Sequence, residues 1–255
     1  MGYSFQLFDP ASVILVIGSL LVLSLGALSQ RKDQLALAAT WAVNFGTLGV
    51  LIGAVGMIEN LTDIATIAPA SAILYLTFLY GLTILLIFRQ SRSSLADSSI
   101  RGVPHRVSVL IALVLIQVWA MDSAIGVSAF IDLNTLIFWF SLCLVVLLCE
   151  KMRGSSDLVV ALYRSLPLLS FVLNLLGLII FLGSSTQDLS GALNIALLPF
   201  IYSLLAMMVI ATLRPKVALD NPLEFGIVTG VYVSLYSGLY FFLLWAGILQ
   251  IQSLS

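Results

Sequence analysis

The chain holds 255 residues, 61% of them hydrophobic and 9% charged, with a formal net charge of -1. A soluble domain carries roughly 25% charged residues, so this composition excludes one and places most of the mass in a lipid bilayer. The near-neutral charge, with no basic or acidic tail, points to no nucleic-acid partner.

A spanning helix takes about 20 mostly apolar residues. Eight segments meet this: 11–29, 36–58, 68–88, 104–122, 133–149, 159–183, 190–212 and 224–249. They are long apolar runs without the alternation of a membrane barrel. The predicted fold is therefore all-α, a polytopic membrane helix bundle. Before the first segment, MGYSFQLFDPAS has no Lys or Arg, so no cleavable signal is expected. The connections are short. RQSRSSLADSSIRG, residues 89–102, is the longest polar one and leaves no room for a soluble domain. Cys143 and Cys149 lie in one apolar run, six apart on a helix, and would not face each other; buried thiols without a disulfide are expected.

Positive charges orient the spans. Arg31 and Lys32 follow helix 1; Arg89, Arg92, Arg101 and Arg106 lie between or at the ends of helices 3 and 4. Lys151 and Arg153 follow helix 5, Arg164 is early in helix 6, and Arg214 and Lys216 follow helix 7. With eight spans all fall on one side, the cytoplasmic side of a bacterial inner membrane. The opposite loops, ENLTDIATIA, MDSAIGVSAFIDLN and SSTQDLSG, carry acids but no Lys or Arg. Both termini are then outside.

The chain also repeats itself. LFDPASVIL (7–15) matches FIDLNTLIF (130–138), pairing Asp9 with Asp132 and Ser12 with Thr135. LTFLYGLTILLIFRQ (76–90) matches LPFIYSLLAMMVIAT (198–212), pairing Phe78 with Phe200 and Tyr80 with Tyr202. Two parallel four-helix repeats follow: residues 1–102, residues 103–216, and a final helix within 217–255 that completes the set. An even number of spans per repeat gives both halves one orientation, unlike the inverted repeats of many transporters.

No catalytic constellation is visible, and no enzyme, cofactor or metal site is expected. His105, the single histidine, stands at a cytoplasmic helix start and reads as a surface residue. Carboxylates cluster at the outer boundary: Glu59, Asp63, Asp122, Asp132 and Asp188. Arg164 is the one basic residue near a span interior. It reads as snorkelling to the interface, with Asp157 as its nearest acidic partner. Neutral polar residues are more plentiful. Helix 2 carries Trp41, Asn44 and Thr47 with Gly46, Gly49, Gly53 and Gly56; helix 3 carries Tyr75, Thr77, Tyr80 and Gly81; the second half adds Asn174, Asn194, Tyr202 and Ser203. Small and hydroxyl residues pack helices together, as in the Gly49–Gly53 spacing. The same residues can also line a path.

The stretch GVLIGAVGMIENLTDIATIAPASAILYLTFLYG, residues 49–81, resembles the MotA/TolQ/ExbB family, most closely the flagellar stator subunits of the MotA/PomA type. The matching residues are Gly49, Gly53, Met57, Asn60, Asp63, Pro69, Ala70, Thr77, Leu79, Tyr80 and Gly81. LFDPASVILVIGSLLVLSL also resembles the family's second helix. The resemblance covers residues 7–88 and, faintly, the second repeat. It implies a subunit of an ion-motive-force complex that surrounds a single-span partner of the MotB/TolR/ExbD type. That partner's aspartate would carry H+ or Na+. Thr77, Tyr80, Gly81, Thr47, Gly49 and Gly53 would lie along the ion path or against the partner helix. Asn174, Asn194 and Tyr202 would be the polar candidates of the second repeat. The chain departs from the pattern at Phe78, Val43 and Val50. It also keeps only QRKDQLA of the family's cytoplasmic lever, so it is not expected to push a rotor. The competing readings are a non-conducting structural or assembly protein and, more remotely, a small-molecule transporter. For the latter, Pro199 is the clear mid-helix proline.

Overall fold

The computed structural model describes residues 9–59, 64–88, 100–183 and 189–220. Eight α-helices follow in order. They are α1 (Pro10–Ala27), α2 (Arg31–Glu59), α3 (Ile64–Phe88), α4 (Val103–Ala124), α5 (Leu133–Met152), α6 (Leu158–Gly183), α7 (Leu189–Leu213) and the short α8 (Pro215–Asp220). A 3-10 turn, Val127–Phe130, precedes α5, and one π-helical turn, Ile14–Gly18, lies within α1. The described residues hold no strand beyond an isolated antiparallel bridge between Leu28 and Ile100. Six helices are long and apolar enough to cross a membrane, and α3 adds a shorter apolar stretch, Leu74–Phe88. The fold is a multi-pass bundle of membrane type. Helices 1 to 7 of the sequence reading correspond to α1–α7; the expected helix 224–249 lies outside the described residues.

Local chemistry sets the helix ends. The Asp9 carboxylate accepts the Ser12 N–H at 2.8 Å, with Pro10 in the first turn. The Asp132 carboxylate accepts the Thr135 N–H at 2.7 Å and starts α5 in the same way. Asp157 accepts from the Val159 and Val160 N–H groups at the start of α6. Such caps satisfy N–H groups that have no intrahelical partner. Helix α5 runs three residues beyond its expected end and stops at Gly154, whose φ of 77° suits a residue without Cβ. Helix α2 starts five residues before the expected position. Its first turn, RKDQ, is too polar for lipid but rich in helix formers, and Asp33 sits where the helix dipole favours an anion.

The core is built around α2. Within an apolar 18-residue stretch of Arg31–Ile58, 94% of residues are buried, against 22% for the like stretch of Val103–Ala124 and 17% for that of Val127–Met152. Trp41, Phe45, Leu37, Leu48 and Leu51 are fully buried along α2. It packs chiefly against α3, and also against α1, α4 and α7; α6 pairs with α7, and α5 leans on α6. The outward faces of α4 and α5 remain apolar, with Ile111, Leu115, Phe138, Leu144 and Leu148 exposed. A helix apolar all round suits a lipid-facing position.

One end of the bundle is basic and cross-linked. Arg101 donates its backbone N–H to the Ala27 carbonyl at 3.1 Å and its Nε to the Leu28 carbonyl at 3.2 Å. The Arg106 guanidinium donates to the Leu213 carbonyl at the end of α7. Arg214 pairs with Asp157 at 3.0 Å. Asp157, the acid nearest Arg164 in the sequence reading, is engaged by Arg214. Arg164 stands seven residues along the same helix, about 10 Å of rise away, whereas the end of α7 brings Arg214 alongside. Arg164 is exposed.

Candidate functional site

The Gly/Thr/Tyr cluster sits at the α2–α3 contact. A Cβ on Gly81 would lie 2.5 Å from the Ala42 carbonyl oxygen, and one on Gly46 would lie 3.3 Å from Phe78 Cα. Backbones that close leave no room for a side chain. A Cβ on Gly49 would meet Thr77 Cβ at 2.9 Å and Leu15 Cδ2 at 3.0 Å, so α1, α2 and α3 converge there. Gly53 is looser, with Leu74 Cβ at 3.5 Å. Thr77 is 4% exposed, and its hydroxyl donates to the Leu74 carbonyl at 2.6 Å. Within the described chain, Thr77 and these glycines therefore face neighbouring helices of the same molecule.

Tyr80 is half-buried, and its hydroxyl accepts the Asp9 N–H at 3.4 Å. Tyr202 does the corresponding thing in the second half: its hydroxyl accepts the Asp132 N–H and donates to the Phe130 carbonyl, both at 3.1 Å. An aspartate cap is thus met by a tyrosine hydroxyl at both places. Beside Tyr202, Trp139 Nε1 donates to Ser203 Oγ at 2.9 Å.

Other polar candidates lie deeper. Asn174 is fully buried; its Nδ2 donates to the Ala196 carbonyl at 2.7 Å, while its Oδ1 has no partner. Thr47 is buried with an unpartnered hydroxyl, as is the Trp41 indole nitrogen. By helical periodicity Thr47 points away from Gly49. Asn194 belongs to α7, outside the side chains described. The structure therefore brings Thr77, Gly49, Gly53 and Gly81 together, and places Thr47, Asn174 and Tyr202 elsewhere.

Three features escaped the sequence reading. Pro167 lies inside α6, so Pro199 is not alone as a mid-helix proline. With Asn44, Ser170, Ser203 and Met207, Pro167 lines a cavity of about 10 Å³, room for about one water. Gln117 donates to Ser19 Oγ at 3.0 Å across α1 and α4, both buried, and its Oε1 is unpartnered. Asp33 is buried with one carboxylate oxygen unpartnered. None of the three stands out from its neighbours in the sequence. Cys143 is buried as expected; Cys149 is exposed, which corrects the expectation of two buried thiols. His105 is exposed, beside Arg101.

Among the described residues no group of His, Cys, Asp and Glu could hold a metal ion. Apart from Asp33, the buried polar side chains among the described residues are mostly hydroxyl and amide groups, able to bind water and to join helices. No family model, curated protein or solved structure matches the chain.

Proposed function

We propose that the protein is a structural or assembly subunit of a bacterial inner membrane. In this reading it retains a MotA/TolQ/ExbB-like helix hairpin and uses that hairpin's residues to hold its own helices together. The observation that carries this is Thr77, buried against Gly49 where α1, α2 and α3 converge, with its hydroxyl committed to Leu74. A residue so placed packs helices without a partner chain. The matched Asp9–Tyr80 and Asp132–Tyr202 contacts support descent of the two halves from one repeated unit. The joined basic end supports a cytoplasmic position for Arg101, Arg106 and Arg214, with both termini on the other side.

The second reading is an ion-motive-force subunit working with a single-span MotB/TolR/ExbD-type partner, passing H+ or Na+. It is favoured by Thr47 Oγ1, Gln117 Oε1 and Asn174 Oδ1, buried groups without partners. Leaving such groups dry costs about 1–3 kcal/mol each, and a hydrated path would relieve that cost.

Gentle-detergent purification with mass spectrometry separates the two. The scaffold reading expects no stoichiometric partner carrying a membrane aspartate. It also expects Thr77→Val to fold in wild-type yield, and Thr47→Val to raise stability by about 1 kcal/mol. A fixed-ratio single-span partner, together with ion flux in liposomes that Thr47→Val or Thr77→Val abolishes, would reverse the choice.

A further inference from the structure

On the outer surface of the bundle, α1 and α4 run side by side and leave a groove between them. The two helices touch at its floor, where a Cβ on Gly26 would lie within 2.1 Å of Val109 Cγ2. Farther along, the Gln117–Ser19 hydrogen bond ties them together again. Between the Gln117–Ser19 bond and the basic end lies a groove of about 400 Å³, walled by Leu21, Val22, Leu25, Val109 and Ala112. Leu21 and Leu25 are 52% and 51% exposed, so the groove opens sideways into the bilayer.

Its two ends differ chemically. One end is wholly apolar. The other holds His105 and Ser108, with the Arg101 guanidinium 2.9 Å from His105 Nε2. The Arg101 Nε bond to Leu28 fixes that cation at the mouth. Helix α4 also starts here, and no side chain caps its N-terminus. A cation, an imidazole and the positive end of a helix dipole converge on one spot. From His105 to Ala112 the helix rises about 10 Å, a good part of one leaflet's hydrocarbon depth of about 15 Å. The dimensions fit an acyl chain, and the charged mouth fits a phosphate at the interface.

We propose that this groove binds one acyl chain of an anionic phospholipid whose phosphate is held by Arg101 and His105. The charge complementarity selects an anionic lipid over a zwitterionic one of the same chain length. Basic pockets between helices at a membrane's cytoplasmic face recognise headgroups in this way.

The test is native mass spectrometry of the full-length protein, released from micelles containing equal amounts of phosphatidylglycerol and phosphatidylcholine with identical acyl chains. Wild type should retain phosphatidylglycerol preferentially. Arg101→Gln should lower that preference by about fivefold, His105→Gln should lower it as well, and both should leave phosphatidylcholine retention unchanged. Arg101 also braces Leu28, so His105→Gln, at an exposed position, serves as the variant that keeps the fold. Leu25→Trp, which fills the groove from an exposed wall, should reduce retention of both lipids. Equal retention of the two lipids by wild type would overturn the proposal. So would a preference that survives both the Arg101 and His105 substitutions, or phosphatidylglycerol retention untouched by Leu25→Trp.

Discussion

At Gly81 the helix hairpin has no slack. An added methyl group would press on the Ala42 carbonyl oxygen, part of a backbone that cannot swing aside. Gly81→Ala should therefore destabilise the protein by about 1–3 kcal/mol, as overpacked cores do, read as earlier unfolding in a mixed-micelle titration. Gly53→Ala, whose new methyl group meets Leu74 at ordinary contact distance, should shift the same transition little. If the two variants unfold alike, the backbone contact at Gly81 is not what holds the hairpin. Sequence could single out these glycines and Thr77 as special, because small and hydroxyl residues in a long apolar run stand out. It could not say which helix they face. That depends on the rotation of α2 against α3, and every face of α2 is apolar enough to be buried. Asp33 does not stand out for a related reason: a charge in a polar turn looks solvated until its neighbours are placed.

At the scale of helices, the apolar runs located α1–α7 to within a few residues, because lipid length constrains a span tightly. The ends moved where helicity and hydropathy part company. RKDQ is helical without being apolar, and PKVALD forms α8 although it is too short to span. The aspartate caps were legible as a repeated Asp-x-x-Ser/Thr pattern at Asp9 and Asp132. The tyrosine hydroxyls that close them were legible as matched positions, though not as hydrogen-bond partners. Removing one hydroxyl tests the joint. Tyr202→Phe leaves the Asp132 N–H and Phe130 carbonyl without their partner and should cost about 1 kcal/mol. Tyr80→Phe, which gives up a longer contact to Asp9, should lose less. Equal losses in thermal unfolding would mean that the two joints bear alike despite their different lengths. Pro167 was hidden because a proline among leucines leaves hydropathy intact, while it denies a backbone hydrogen bond to the carbonyl four residues earlier.

At the scale of the molecule, burial is lopsided: α2 is enclosed, and α4 and α5 keep their flanks open to lipid. The gathering of Arg101, Arg106 and Arg214 at one end was legible because basic residues recur after alternate spans. The hydrogen bonds that tie those ends together were not, since they join residues as far apart as Arg106 and Leu213. Cys149 gives a direct check. It is exposed, and Cys143 is buried, so a membrane-impermeant maleimide should label one thiol of the folded protein. If the basic end is cytoplasmic, Cys149 reacts in inside-out vesicles and stays protected in right-side-out ones. The opposite pattern would invert the proposed topology.

The π-helical turn at Ile14–Gly18 has a consequence for chain length. A turn of this kind holds about one residue more than an α-helical turn. Losing one residue elsewhere in a spanning helix rotates everything beyond the gap by about 100° and turns its buried stripe toward lipid. Here the surplus can be surrendered. A single deletion at Ile17, whose side chain is exposed, should relax the wide turn to a regular one and keep both Asp9 and Ser24 on their present faces. The same deletion at Leu21, past the wide turn, should misfold the protein, a contrast that expression level and detergent-soluble yield would register. Within α1, then, the Ile14–Gly18 turn is the place where the gene can shorten without the bundle losing register.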